Sequence, residues 1–292
     1  MKKLKNIQFS VNIFFIVICA LILYPLLMVI AVSLSSEADI ANYGYLLIPK
    51  KIDLSAYKFV FDNPTRIINA YKITGIVSLM YMVLSVLFMS MAAYPLSNRT
   101  FKARKYVNFY FYFTMLFGGG LVPSYILITR YLNLDDTIWV YVLPGLISPW
   151  YIFMMRTFFA DVPSEMLEAV KIDGGNQYTA FFRFVLPLSK PVLATVALFM
   201  FLGKWNDWNT SMLYINDSTL YSLQFLLQDI MENINMIQSS TADKQALMDI
   251  KEIPTETVRM AMAMVVAGPA LVVFPFFQKY FVKGLTVGSV KG

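Results

Sequence analysis

The chain has 292 residues, of which 58% are hydrophobic, 16% aromatic and 14% charged, and its formal net charge is +6. Soluble domains carry roughly 25% charged residues, so this composition predicts a polytopic membrane protein whose positive charge lines the cytoplasmic membrane face and does not bind nucleic acid. Because the sequence has no histidine, it excludes catalytic triads, metal sites and proton relays that depend on an imidazole.

Six apolar segments are long enough to cross a bilayer as helices, since a helix rises about 1.5 Å per residue. Polar loops at 35–70, 156–190 and 214–257 separate some of them. The sequence therefore predicts an all-α membrane protein in which residues 1–292 form a single transmembrane domain. The predicted spans cover about 11–32, 73–96, 106–129, 137–155, 191–213 and 260–278.

Lysine and arginine are unevenly divided between the two sides of these predicted spans. Most of them fall on the side of the N-terminus, including the basic turn at 99–105, whereas most carboxylates fall on the other side. Because basic loops stay in the cytoplasm, both termini and the loop 156–190 are expected to be cytoplasmic. The first apolar run is longer than the about 7–15 residues of a signal-peptide core, so we interpret it as a retained span.

The third predicted span contains a break in its helical pattern. Gly118, Gly119 and Gly120 stand together and are followed by Pro123. Such a break in a membrane helix is tolerated only where neighbouring protein or a water-filled cavity satisfies the freed backbone groups. The break is therefore expected to face protein or water, and not lipid.

The cytoplasmic loop 156–190 carries the most informative pattern. Pro163 and Ser164 suit a helix start, and Gly174-Gly175 suits a helix end, because glycine adopts the left-handed conformation with which many helices finish. Between them, apolar residues alternate with charged ones at near-helical spacing. An amphipathic connector lying on the membrane surface is one interpretation, but it explains the double glycine and the proline-bounded return less well.

This loop resembles the EAA loop of ABC importer permeases, especially the second permease subunit of maltose-type and complex-oligosaccharide importers. The residues that carry the match, and to which the resemblance assigns ATPase coupling, are Glu168, Ala169, Val170, Asp173, Gly174, Leu186 and Pro187. The resemblance extends over nearly the whole chain in the family's order. Its other segments are 119–125, 136–137, 143–144, 205–208 and 276–285.

The resemblance implies an ABC importer permease fold with a coupling helix that sits in a cleft of a cytoplasmic ATPase. It also implies a heterodimer with a second permease, two ATPase subunits that bind ATP and Mg, and an extracellular binding protein that delivers a carbohydrate. The sequence contains no P-loop, so ATP must bind to another subunit. This chain is therefore expected to be no enzyme and to bind no cofactor, with ATP hydrolysis on the separate ATPase. The loop 214–257 is expected either to dock the binding protein or to be a solvated loop.

Two positions depart from the family pattern. Val170 stands where alanine is usual, and Gly175 follows Gly174 where alanine is common. We expect the valine to add bulk on the side of the helix that enters the ATPase cleft, so that the partner's groove has a different shape.

A polar and aromatic patch lies inside the fifth predicted span. Lys204 and Asp207 are three residues apart, which allows them to pair on one helix face. Trp205, Asn206 and Trp208 suit a sugar, because aromatic faces stack on C–H surfaces while amides bond hydroxyls. We interpret the patch as part of the substrate path. The alternatives are an aromatic belt at the membrane interface and a substrate site carried mainly by the partner permease.

A stand-alone secondary transporter or channel is the alternative function. It would need an ion or proton pathway of intramembrane acids, and Asp207 is the one acid placed well inside a predicted span. Carbohydrate import driven by ATP is therefore the favoured function.

Overall fold

A computed structural model describes residues 2–239 and 255–288 of the chain. These residues form helices and loops without any strand, which confirms the predicted all-α class. The α-helices in chain order are α1 (Lys2–Ser33), α2 (Glu37–Tyr43), α3 (Ser55–Val60), α4 (Pro64–Ser97), α5 (Arg104–Leu116), α6 (Leu121–Ile126), α7 (Trp139–Val142), α8 (Pro149–Ala160), α9 (Ser164–Ile172), α10 (Gln177–Ala180), α11 (Leu186–Leu188), α12 (Lys190–Trp205), α13 (Asn209–Tyr214), α14 (Leu223–Ser239) and α15 (Thr255–Gly288). Two π-helical turns, Leu127–Tyr131 and Phe181–Val185, and a 3-10 turn, Ser218–Leu220, complete the set.

Among the described residues, three helices are long and apolar enough to cross a bilayer alone, and they lie in α1, α4 and α15. The predicted spans at 11–32, 73–96 and 260–278 fall inside these helices. Two bent pairs of helices meet the same criteria when each is taken together: α5 with Leu121–Tyr131, and Gln177–Leu188 with α12. By length and composition, the described part of the chain therefore offers three to five spans, and the count of six stays a prediction.

The third predicted span is broken where the glycines stand. Helix α5 ends at Leu116, the next helix begins at Leu121, and the two directions differ by 112°. Gly120 has a φ of +87°, a conformation that side chains with a Cβ rarely adopt. Pro123 lies in the first turn of α6, where its missing N–H costs no helical hydrogen bond.

The predicted fourth span, 137–155, does not form one continuous helix. Helix α7 ends at Val142 and α8 begins at Pro149. Between them lie Pro144 and Gly145, whose φ of +76° is left-handed. A proline inside a helix removes a hydrogen bond and clashes with the preceding turn, so these residues interrupt the apolar segment.

The predicted fifth span, 191–213, is also divided. Helix α12 ends at Trp205, a short turn follows at 206–208, and α13 begins at Asn209. The cause is the side chain of Asp207, which accepts a hydrogen bond from the backbone N–H of Thr210 at 3.0 Å and so satisfies a donor at the start of α13.

The chain divides into two compact units, of which the first comprises Met1–Ile67 and Leu227–Pro269. Within it, the carboxylate of Glu37 accepts hydrogen bonds from the backbone N–H groups of Glu256 and Thr257, both at 3.1 Å, and from the Thr257 hydroxyl at 2.9 Å. The first N–H groups of a helix have no partner inside that helix. Glu37 supplies partners at the start of α15, so the segment after α1 is fixed to that start.

The second unit comprises Ile68–Leu226 and Ala270–Gly292. Its larger core cluster joins α4, α8, the turn Phe181–Val185 and α12 through buried side chains. These include Met89, Ala93, Ile152, Met155, Phe181, Val185 and Val196. The elements on both sides of the loop 161–176 are therefore packed into one core, and this core fixes the ends of the loop.

A smaller cluster in the second unit surrounds Tyr141. It contains Val77 of α4, Ile128, Val140, Tyr214 and Ile215. The carboxylate of Asp136 accepts hydrogen bonds from the backbone N–H groups of Asn216 and, at 2.9 Å, Asp217. These bonds lower the pKa of Asp136 below its ordinary value, because they favour the ionised carboxylate. The loop after α13 is thereby held beside the start of α7.

Candidate functional site

The predicted coupling helix is present as α9, Ser164–Ile172. Pro163 precedes it in an extended conformation (φ −56°, ψ 129°), without a side-chain hydrogen bond to the helix start. Glu165 lies in the first turn and Lys171 in the last, and both charges interact favourably with the helix dipole. The start and stop residues of the sequence therefore define this helix as predicted.

The two faces of α9 have opposite environments. Val170 is buried, with 6% of its surface exposed, and Leu167 packs against the larger core cluster. On the opposite face, four residues at positions i, i+3, i+4 and i+7 are all exposed: Glu165, Glu168, Ala169 and Ile172. Ile172 leaves 86% of its surface exposed. This set, called the exposed face of α9 below, combines two carboxylates, one small residue and one large apolar residue.

The end of α9 explains both glycines. Gly174 has a φ of +76°, and its N–H donates to the carbonyl of Lys171 at 3.1 Å. The N–H of Gly175 donates to the carbonyl of Val170 at 2.8 Å, which brings the two residues into close contact. A Cβ on Gly175 would lie 2.6 Å from Cγ1 of Val170 and 2.9 Å from its carbonyl oxygen. Glycine is needed at 174 because the backbone there has a positive φ, and at 175 because Val170 leaves no room for a Cβ.

The orientation of Val170 corrects one expectation. The valine was expected to add bulk on the side that enters a partner's cleft, but its side chain is buried against Gly175 within the chain. The two departures from the family pattern are therefore in contact, because the larger residue at 170 fills the space that a methyl group at 175 would occupy.

We expect Gly175→Ala to destabilise the end of α9 by about 1–3 kcal/mol, the usual cost of adding a methyl group to a packed site, and to reduce transport. The double variant Val170→Ala/Gly175→Ala should recover part of the loss, since it removes the closer of the two clashes. Thermal unfolding and uptake of the single and double variants measure this coupling. Gly75→Ala is the control, because a Cβ there meets no atom within 4 Å. If the effects of the two substitutions on thermal unfolding and uptake were strictly additive, residues 170 and 175 would not be in close contact.

The segment that returns from α9 to the membrane is fixed to the core. Asn176 accepts a hydrogen bond from the N–H of Thr179 at 2.9 Å and begins α10. Gln177 accepts one from the hydroxyl of Tyr94, also at 2.9 Å. Leu186 packs against the larger core cluster, and Pro187 lies inside α11. The chain then bends by 80° into α12. The segment 176–188 therefore connects α9 to α12 through packed and hydrogen-bonded residues.

The polar patch of the fifth predicted span is largely an internal cluster. Lys204 Nζ and Asp207 Oδ2 form an ion pair at 2.7 Å, as their spacing predicts, with 13% and 14% of the two side chains exposed. The hydroxyl of Thr210 donates to the same Asp207 oxygen at 2.7 Å. Trp205 is 5% exposed and stacks on Phe201 at 5.7 Å between ring centroids. These contacts give Lys204, Trp205 and Asp207 partners inside the chain.

The other two members of the patch form neither an ion pair nor a ring stack within the described residues. Asn206 is exposed and Trp208 is partly buried. The side-chain amide of Asn206 donates to the carbonyl of Leu202 at 2.9 Å. Within this chain, Asn206 and Trp208 can reach a ligand more easily than Trp205, whose ring is packed. The substrate path stays a prediction, and these two residues are the members of the patch best placed for it.

A chain of hydrogen bonds around this patch was not predicted from the sequence. The hydroxyl of Ser222 donates to the carbonyl of Asp207 at 2.9 Å. The hydroxyl of Ser211 donates to that of Ser222 at 2.9 Å, and the hydroxyl oxygens of Tyr141 and Ser211 are 2.6 Å apart. The backbone N–H of Leu223 donates to the hydroxyl of Thr74 at 2.8 Å. Serine, threonine and tyrosine in apolar segments are the signal for such a network, but their partners lie far away in sequence.

The helix break lies on the surface of the chain. Gly118, Gly119 and Gly120 are exposed, and the neighbouring Phe117 and Leu121 expose most of their surface. The fold of this chain alone does not cover the break. Elsewhere, no three carboxylate or thiol side chains in 2–239 and 255–288 come together as metal ligands.

Comparison with known proteins identifies similar chains over nearly the full length. The chain is 37% identical to Protein LplC of Bacillus subtilis (strain 168), over 94% of this chain and 90% of that protein. It is 35% identical to the polygalacturonan/rhamnogalacturonan transport system permease protein YtcP of the same organism, over 99% of this chain and 100% of that protein. No protein-family model matches the chain.

The fold is similar to a solved transporter structure. The crystal structure of a bacterial ABC transporter involved in the import of the acidic polysaccharide alginate contains a chain that aligns with a TM-score of 0.80 and 27% identity. The alignment covers 95% of this chain and 97% of that one. The chain therefore belongs to the carbohydrate-uptake permeases of ABC transporters, as a multi-pass cell-membrane subunit of an ATP-driven importer in which separate subunits hydrolyse ATP.

Proposed function

We propose that this permease carries an oligosaccharide across the cell membrane after an extracellular binding protein has delivered it. One of the similar proteins is named for the transport of polygalacturonan and rhamnogalacturonan, and another for the import of the acidic polysaccharide alginate. These names favour an oligosaccharide that contains uronic acids over a small neutral sugar. Asn206 and Trp208 are the residues of the fifth predicted span that we assign to its path.

The observation that carries the coupling role is the exposed face of α9. A helix in a cytoplasmic loop that leaves Glu168, Ala169 and Ile172 uncovered, while the core holds its other face, is suited to docking on another protein. Ala169 permits close approach, Glu168 offers a charged hydrogen-bond acceptor, and Ile172 is an apolar anchor of the kind that dominates interface energies. We assign this face to the cleft of the ATPase.

The remaining exposed surface supports a second permease subunit as partner. Residues 8–30 of α1 include no buried residue, and within 8–33 only Ala31, Val32 and Ser33 at the end of the helix are buried. The helix break at 118–120 is likewise uncovered, and broken backbone is not stable against lipid. We propose that a second permease covers these surfaces in a heterodimer, and that two ATPase subunits hold ATP and Mg.

The proposed topology has six spans with both termini in the cytoplasm. The basic turn at 99–105 and the loop that contains α9 then lie on the same side, as the distribution of lysine and arginine favours. The segment 214–257, of which 240–254 lie outside the described residues, faces the exterior and is our candidate for docking the binding protein.

Purification of the tagged chain from its native membrane in mild detergent tests this function. We expect a second permease and an ATPase to copurify with the chain. We also expect the binding protein to stimulate ATP hydrolysis more when it carries a uronic-acid oligosaccharide than when it carries a malto-oligosaccharide. In proteoliposomes, uptake should require ATP and persist when the membrane potential is collapsed. A stable homo-oligomer, or uptake driven by an ion gradient without ATP, would instead indicate a secondary transporter.

A further inference from the structure

A groove of about 420 Å³ lies between α5 and α8, away from the sites described above. Its walls come from one stripe of each helix: Asn108, Phe109 and Tyr112 on α5, and Phe153, Arg156 and Thr157 on α8. The groove is open along one side. Three aromatic rings make its walls apolar, whereas its polar groups gather around Arg156.

The polar end of the groove is rich in hydrogen-bond donors. One guanidinium nitrogen of Arg156 donates to Oδ1 of Asn108 at 2.9 Å. The Asn108 amide nitrogen and the remaining guanidinium N–H groups of Arg156 can donate to a ligand. They outnumber the hydroxyl of Thr157, which already donates to the carbonyl of Phe153 at 3.0 Å. A ligand at this end must therefore supply acceptors.

The charge at this end is not balanced within the chain. The ion pairs found in 2–239 and 255–288 are Lys204–Asp207 and Arg259–Glu256, so no described carboxylate pairs with Arg156. Arg104 lies one helical turn before Asn108 on α5, and so places a second positive charge on the side of that helix that meets Arg156. Two cations beside a partly enclosed, donor-lined groove favour an anion.

The position of the groove indicates which anion it takes. Arg104 lies within the basic turn 99–105 and begins α5, and Arg156 lies in the last turns of α8, just before the loop that contains α9. The cationic end therefore lies toward the cytoplasmic face in the proposed topology, while Tyr112 and Phe153 extend toward the bilayer interior. The cytoplasmic leaflet is rich in acidic lipids, and basic pockets between membrane helices bind their head groups.

We propose that this groove binds one acidic phospholipid of the cytoplasmic leaflet. Arg156 and Asn108 hydrogen-bond to its phosphate, Arg104 adds positive charge, and an acyl chain lies along Phe109, Tyr112 and Phe153. Since α8 leads directly into the loop of α9, the lipid supports the membrane end of the coupling segment.

The test uses the complex purified from its native membrane and exchanged into nanodiscs of phosphatidylcholine with increasing phosphatidylglycerol. After transfer to detergent, native mass spectrometry counts the lipid retained. We expect the wild type to retain phosphatidylglycerol in preference to phosphatidylcholine. Arg156→Gln should weaken this retention about fivefold, the effect of losing one basic residue near an acidic membrane surface. Arg99→Gln is the control, because it removes one arginine charge from an exposed position in the basic turn 99–105, outside the groove.

Asn108→Ala provides a second variant in case Arg156→Gln does not assemble, and we expect it to weaken phosphatidylglycerol retention as well. Equal retention of the two lipids by the wild type would overturn the proposal. The proposal would also be overturned if Asn108→Ala and Arg156→Gln retained as much phosphatidylglycerol as Arg99→Gln. A structure of the complex in which the second permease fills the groove would overturn it as well. Displacement of the lipid by millimolar inorganic phosphate would indicate a site for a free anion. The transport assay of the previous subsection is independent of these outcomes.

Discussion

Glu168→Lys is expected to abolish ATP-driven uptake while the chain still inserts into the membrane at wild-type abundance. Glu168 lies on the exposed face of α9 and forms no ion pair with any residue in 2–239 or 255–288. Exposed substitutions usually change stability by less than about 0.5 kcal/mol. Reversal of a charge inside an interface removes a hydrogen bond and adds repulsion, which costs several kcal/mol of binding. We therefore expect Glu168→Lys to weaken binding to the ATPase without destabilising the fold.

The measurement is uptake by cells that carry the variant as their sole copy, with membrane abundance followed by immunoblot and ATPase copurification as a third readout. Asp161→Lys is the matched control, because it makes the same charge reversal at an exposed residue just before α9 and away from its exposed face. Normal uptake by an inserted Glu168→Lys protein would remove Glu168 from the coupling interface.

Asp207→Asn is expected to destabilise the second unit by about 3–5 kcal/mol, the usual cost of breaking a buried ion pair from one side. The change leaves Lys204 charged, with 13% of its side chain exposed, beside the ring of Tyr81 at 5.0 Å. The exchange also weakens the hydrogen bonds that begin α13. Thermal unfolding of the purified complex should therefore show a lower midpoint for Asp207→Asn than for the wild type.

Two further variants separate this structural role from direct sugar binding. Lys204→Met/Asp207→Leu should regain much of the stability, since apolar side chains often replace a buried ion pair without loss. Asn206→Ala should leave the unfolding midpoint unchanged, because Asn206 is exposed. If Asp207→Asn instead unfolds like the wild type and raises only the KM for transport, Asp207 contacts substrate and the internal pairing is secondary.

The coupling helix could be predicted from the sequence because its signals are local. Pro163 and Ser164 at the start, and Gly174 at the end, act through the backbone conformation of single residues. The pairing of Lys204 with Asp207 was predictable for the same reason, since residues three apart on a helix lie side by side. Such features do not depend on where the helix lies in the molecule.

The orientation of α9 could not be predicted in this way. Val170 and Glu168 both lie on a short helix with apolar and charged residues, and the sequence does not specify which side meets the core. That choice depends on the packing of Leu167 against the larger core cluster, and on the burial of Val170 in close contact with Gly175. The burial of Trp205 was missed for a similar reason, because Phe201 occupies its ring face within the fold.

By itself, the sequence determined the membrane class, the apolar segments and the location of the coupling loop, because hydropathy, charge bias and helix end signals are summed along neighbouring residues. The tertiary structure decided which face of α9 is exposed and that the polar patch of the fifth segment is packed inside the chain, with Trp205 buried. These features follow from contacts between residues far apart in the chain, such as Ser222 with Asp207 and Leu223 with Thr74. Packing and hydrogen-bond satisfaction in an apolar medium select among arrangements that the local pattern leaves equally possible.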